Sequence, residues 1–386
     1  MEFELNETQK LFKDSARELF AAECPPAAVR EMIERGEPYS ESLWKKLVEQ
    51  GWTGLILPEQ YGGTGLGTVE MAIAFEEMGR ALVPGPFLST VALSGSLIEK
   101  ACSTPYRTKL LGAISEGKSK ATVALLEDSA SWNLDAVALR ATPTAGGVKL
   151  NGKKLFVSDA AVSNVIITAA RQGSDIVLAF VDSASPGIST KAMPGLDQTR
   201  LLYEVKFDNV TVAADDVTSD AAAARAALEH ALDVASLAVS AEMVGGMQWI
   251  LETTVEYAKT RKQFGKPIGA FQSVQHHCAN ILLMTESARS AVYYAAWLMN
   301  DRPDEAALAV SVAKAYASDS YREVGNLGIQ VHGGVGFTWD ENLHFYYKRA
   351  KASELMFGDA TFHRERIARL LIGRAGESEA AGRSAD

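Results

Sequence analysis

Apolar residues recur at the helical period through the first third of the chain, alternate over short distances in the middle, and return to the helical period to the end. NETQKLFKDSARELFAAEC opens on Asn6, a good N-cap, and places Leu11, Phe12, Ala16, Leu19 and Phe20 on one stripe. SESLWKKLVEQG predicts a second helix, with Ser40 as a cap and Gly51 past its end; TVEMAIAFEEMGRALVP predicts a third, stopped by Pro84. Between them GLILPEQYGGTGLG, residues 54–67, carries five glycines, the mark of a loop with special backbone angles. The segments KATVALLED, AVALRATPTAGGVKLNGKKLFVSDA, NVIITAARQGSDIVLAFVD and LLYEVKFDNVTV are rich in Val, Ile and Thr, with Ala-Gly-Gly and Asn-Gly turns. They predict an antiparallel β-barrel domain. The long apolar-periodic segments that follow, with short links, predict a C-terminal four-helix bundle. The expected fold class is therefore α+β: a helical domain at 1–118, a β-barrel at 119–218, a bundle at 219–372, and a small polar tail at 373–386 expected to be disordered.

Composition narrows the function classes. With 386 residues and 47% apolar content the chain can bury a large core. A net charge of −10 argues against nucleic acid as a partner. Cys24, Cys102 and Cys278 are too far apart for a zinc motif or a disulfide framework, which fits a cytoplasmic setting. The first residues, MEFELNETQKLF, are polar and acidic and do not read as a signal peptide. Neither GxGxxG after a strand nor GxxxxGK[ST] occurs, so no Rossmann or P-loop nucleotide site is expected.

One stretch carries a chemical question. VASLAVSAEMVGGMQWIL, residues 234–251, holds a single ionisable side chain, Glu242. The run is long enough to suggest a membrane span, but Glu242, Gln248, the serines and the paired glycines near its middle argue against one. A lone carboxylate there either meets a Lys or Arg elsewhere in the fold or is a base whose pKa an apolar pocket raises.

EYAKTRKQFGKPIGAFQ at 256–272 and IQVHGGVGFT at 329–338 resemble the acyl-CoA dehydrogenase family of flavoproteins, as do GLILPEQYGGTGLG and the order of the three parts. The resemblance covers essentially the whole chain. It implies FAD, bound between subunits of a tetramer, with Arg261, Phe264 and Gln272 on positions that contact the cofactor. Gln330, Gly333 and Gly334 match the segment that approaches the adenine diphosphate of a neighbouring subunit's cofactor. Within LFVSDA, Phe156 takes an aromatic position and Ser158 a hydroxyl position beside the flavin ring, while Leu125 and Leu126 lie on a strand facing it.

The chain also departs from the family. LEDSASWNLD, residues 126–135, replaces a T-E-P-x-x-G-S-D loop, keeping Glu127 and bringing in Trp132. Asp233 of a D-x-x-R pair is kept, but Ser236 replaces the arginine. The usual base belongs to a Y-E-G-T motif; here the segment is LMFGDAT, and Phe357, which cannot accept a proton, takes the glutamate's place. Asp359 follows closely but points elsewhere along a turn. A minority branch draws its base from the long preceding helix, at a position that is Ala235 here. Glu242 lies two turns further on the same face, about 10 Å along the axis, and Gly245 and Gly246 are expected to leave room beside it.

The resemblance then implies α,β-dehydrogenation of an acyl-CoA, with Glu242 removing the α-proton, hydride passing to the flavin, and electrons leaving to an electron-transferring flavoprotein. Phe357 and the shifted base suggest a bulky or ring-bearing acyl group. Two alternatives stand beside this. The chain is an FAD-contacting subunit without a base in an α2β2 heterotetramer, or it is a flavin oxidase on the same scaffold.

Overall fold

The computed structural model describes residues 4–383. Helices come first: α1 (Glu7–Glu23), α2 (Pro26–Arg35), α3 (Glu41–Glu49), α4 (Thr68–Arg80), α5 (Ser96–Ala101) and α6 (Thr104–Ser115). The strands are β1 (Ala121–Ala124), β2 (Ala141–Thr144), β3 (Gly147–Ser158), β4 (Val165–Gln172), β5 (Asp175–Asp182), β6 (Ile188–Met193) and β7 (Leu202–Ala213). Then come α7 (Ala221–Thr260), the hairpin β8 (Lys262–Gln263) and β9 (Lys266–Pro267), α8 (Gln272–Asp301), α9 (Pro303–His332), α10 (Leu343–Leu355) and α11 (Ala360–Arg383). The caps form where the sequence places them. The Gln9 amide donates to Asn6 Oδ1 at 2.9 Å and the Asn6 amide to Gln9 Oε1 at 3.1 Å, a reciprocal box, and the Leu43 amide donates to Ser40 Oγ.

By contacts the chain divides into two compact units, one of residues 14–71 and 81–238, the other of residues up to 13, 72–80 and from 239 onward. The first unit holds β1 to β7, and here the expected antiparallel barrel needs correcting. The strands form two open sheets, in the orders β1-β4-β5 and β2-β3-β7-β6, and β1 pairs with β4 in parallel. Among the described residues an isolated bridge, Arg140 to Arg171, stands between the sheets where a barrel would have a closing ladder. The cause lies in the burial of each strand. β1, β4 and β5 are buried along nearly their whole length, whereas β3 and β7 alternate with one face inward. The shared core contains Leu150, Ile166, Ala179, Val205 and Phe207.

In the second unit α8 and α9 form an antiparallel hairpin that turns at Arg302, with Pro303 opening α9. α9 packs on α8, α10 and α11. The later turns of α7 meet α9 where Gly328 faces Ile250 and Gly246 faces Tyr321. α7 is apolar and long enough to span a membrane, but 83% of its apolar window is buried in protein, the signature of a core helix. α11 continues as helix to Arg383 across most of the tail expected to be disordered; residues 384–386 lie outside the described residues.

Candidate flavin and acyl site

In the strand-bearing unit, Leu125 and Leu126 follow β1 directly and are buried. The Leu155 amide donates to Leu126 O at 2.9 Å, and Thr122 Oγ1 donates to Ser158 O at 2.6 Å. Leu125, Leu126, Phe156 and Ser158 are thus brought to one corner of the sheet. The ladder between β3 and β7 slips between Lys154 and Val157, a bulge that re-aims the chain. Phe156 sits on it at φ +55°, with 40% of its surface exposed, and its amide donates to Met193 Sδ at 3.4 Å. Asp159 is also left-handed, at φ +56°, and its carboxylate accepts from Ser89 Oγ at 2.6 Å. A non-glycine backbone held this way on both sides of Ser158 is a strained segment of the kind that collects at functional sites.

Beneath that corner lies a residue the sequence reading missed. Lys154 is fully buried, and its ammonium donates to Leu125 O at 2.9 Å and to Glu127 Oε1 at 2.5 Å. Glu127 also accepts from the Ala138 amide at 3.1 Å and the Leu139 amide at 2.9 Å. Burial pushes the Lys154 ammonium down to about 8, and Glu127 works against the shift. Burial would raise the Glu127 carboxyl, but the bonds from Lys154 and the Leu139 amide outweigh it and hold it below its usual value. The far end of the unusual 126–135 loop is pinned by Arg171, which donates to Val137 O at 2.7 Å and Asp135 O at 2.9 Å. The only sequence signal for Lys154 was a lysine at an inward position of an alternating strand.

In the helical unit, Arg261 closes α7 and Phe264 forms the tip of the β8–β9 hairpin at φ +52° and 91% exposure. Gln272 begins α8 and Gln330 lies in the last turn of α9, both exposed. Tyr257, one turn before Arg261, stacks on His332 with ring centres 4.2 Å apart, so the hairpin and the Gly333–Gly334 corner are neighbours. Gly333 has φ +64°, and a Cβ at either glycine would meet nothing within 4 Å. Arg261 is exposed, and its guanidinium has neither ion pair nor hydrogen bond among the described residues. Open glycine backbone beside an available guanidinium, with Lys262 and Lys266 on the same hairpin, fits an anionic diphosphate such as that of FAD.

The candidate base is where the structure departs most from expectation. Glu242 is 5% exposed, and its Oε1 lies 3.8 Å from Nη1 of Arg349, itself buried on α10. Its surroundings are therefore not purely apolar. Nor do the glycines leave space. A Cβ on Gly245 would fall 1.8 Å from Glu76 O, and one on Gly246 would fall 2.2 Å from the Tyr321 hydroxyl oxygen. The backbone of α4 and an aromatic ring fill those places. Ala235 is buried and inert. Asp359 Oδ1 accepts from the Phe362 amide at 2.8 Å, so it caps α11.

Phe357 is buried at φ +57°. Behind its turn lies Lys314 of α9, fully buried, donating to Gly358 O at 2.8 Å and to Glu354 O and Ser318 Oγ at 3.1 Å. Burial pushes this ammonium down to about 7 against the pull of Glu354 and Asp359. His363, whose Nε2 lies 3.1 Å from Phe357 O, is pushed down to about 3 by burial, Lys314 and Arg366, and is neutral at working pH.

Two family models together match most of the chain. Residues 6–118 match the acyl-CoA dehydrogenase N-terminal domain and residues 224–372 the acyl-CoA dehydrogenase C-terminal domain. The acryloyl-CoA reductase (NADH) of Anaerotignum propionicum is 30% identical over 388 residues, covering 97% of this chain and 97% of that protein. A chain of the ChsE4–ChsE5 complex from Mycobacterium tuberculosis superposes with a TM-score of 0.87 at 26% identity, over 96% of this chain and 99% of that one. The FAD complex of PigA superposes at 0.89 with 26% identity, over 97% and 100%.

Proposed function

Because the chain belongs to the acyl-CoA dehydrogenase family, FAD-dependent oxidoreductases acting on CH–CH bonds of acyl-CoA thioesters, we propose that it is the flavin-contacting subunit of a two-chain member whose general base comes from the other chain. The observation that carries this reading is the state of both candidate bases. By the resemblance Phe357 takes the family's carboxylate position, and Glu242 sits at a buried helix crossing 3.8 Å from Arg349. The likeness to a chain of a ChsE4–ChsE5 complex supports a two-chain assembly.

FAD supplies the acceptor for the hydrogen leaving the β-carbon. The residues that would hold it are, in the helical unit, Arg261 on the diphosphate and Gly333–Gly334 toward a neighbouring subunit's cofactor, and, in the strand-bearing unit, the Phe156–Ser158 bulge and Leu125–Leu126 on the ring. The electrons pass on to an electron-transferring flavoprotein, and Phe357 favours a bulky acyl chain.

The test is anaerobic reduction of the flavin by a panel of acyl-CoAs, with the chain expressed alone. The expected result is bound FAD that no acyl-CoA bleaches, in wild type and Glu242→Gln alike. Bleaching by the wild type that slows about a hundredfold in Glu242→Gln would restore Glu242 as the base and make the chain self-sufficient.

A further inference from the structure

We propose that Lys154 is a positioning residue for the flavin: tying Leu125 O to the Glu127 carboxylate from beneath, its ammonium sets the backbone at 125–127 and 155–158 on which the ring packs. This rests on the flavin placement given above. Three observations carry it. The side chain is fully buried, so the lysine does no work at the surface. Both its tethers end on the segment that leads into the flavin corner, and the Glu127 oxygens are held in turn by the Ala138 and Leu139 amides, so the pair cannot swing away. The strained turn at Phe156 begins two residues after Lys154, and strained backbone persists only where its surroundings over-determine it.

The charges around the ammonium are few. Glu127 acts on it directly. Lys153 and Asp128 pair with each other at 2.9 Å, Asp159 is engaged by Ser89, and the β7 residue opposite Lys154 is the apolar Val205. Loss of the Lys154 proton leaves an amine that still reaches Leu125 O but no longer attracts Glu127, so the corner loosens.

The readout is FAD affinity, followed by flavin fluorescence between pH 6.5 and 9.5. Wild type is expected to weaken about three- to tenfold as pH rises through the Lys154 titration near 8. Lys154→Met is expected to bind about tenfold more weakly at pH 7, with a flat pH profile and altered fine structure in the bound flavin's visible bands. Lys154→Arg, whose charge is fixed, should bind well and stay flat. A flat wild-type profile, or a slope that persists in Lys154→Arg, would overturn the proposal, even if Lys154→Met does not fold. Phe156→Ala separates the two levels of the argument. Bound FAD that ignores Phe156→Ala would sink the flavin placement and this role with it. FAD that responds to Phe156→Ala but not to Lys154 would overturn the lysine's role alone.

Discussion

Two glutamates sit at the α4–α7 crossing, and their settings differ. Each helix carries Glu-x-x-Gly: Glu76 and Gly79 on α4, Glu242 and Gly245 on α7. A Cβ on Gly79 would meet Glu242 O at 2.0 Å, and one on Gly245 would meet Glu76 O at 1.8 Å, so the helices touch backbone to backbone. Glu76 is saturated: Lys13 at 2.8 Å, the Tyr293 hydroxyl at 2.8 Å, and Arg289 all donate to it. Glu242 has its arginine at 3.8 Å. The pseudo-symmetry indicates that a glutamate at this point of a helix belongs to the crossing itself. The difference lies in function: Glu242 occupies the run that the sequence marks as a candidate base, so the kinetic test falls on it and not on Glu76.

The comparison can be broken by substitution. Glu76→Gln leaves Arg289 and Lys13 without their anion and is expected to destabilise the protein by about 3–5 kcal/mol. Glu242→Gln takes the charge from beside the buried Arg349 and is expected to destabilise as well; urea unfolding measures both variants, and an unchanged midpoint for Glu242→Gln would show that Arg349 does not depend on it. Next in size is Gly245→Ala, whose methyl drives into the α4 backbone, at about 1–3 kcal/mol. Combined with Gly79→Ala the loss should fall short of the sum, because the helices have already parted, a shortfall that a double-mutant cycle measures.

The smallest effect is the acid limb. Burial would raise the Glu76 carboxyl, but Arg289 and Lys13 outweigh it and hold it below its ordinary value. Its contribution is therefore complete above the unfolded carboxyl's value, about 4.3, and is lost as pH falls toward the lower folded one. Unfolding followed from pH 6 to pH 3 should show a shallower decline in Glu76→Gln than in wild type.

Much of the fold could be read along the chain because its causes are local. Asn6 and Ser40 cap helices three residues on, α4 ends before Pro84, and alternation marks β3 and β7. What escaped depends on distant partners. The parallel pairing of β1 with β4 joins residues separated by two strands of the other sheet, and nothing in either segment encodes it. The apolar run around Glu242 gave no hint of Arg349, and paired glycines read as space until the backbone that fills them was known. Flavin positions were legible as motif, whereas Lys154 was hidden because a lysine in an alternating strand ordinarily faces water.

The lysine behind the Phe357 turn has a chemical consequence. An amine titrating near 7 is substantially unprotonated in a cell, and an unprotonated amine attacks thioesters. The enclosure that lowers the amine also denies it any thioester: three hydrogen bonds and the wrapping of α9 hold Lys314 inside, while at the surface it would regain its ordinary value and stay protonated.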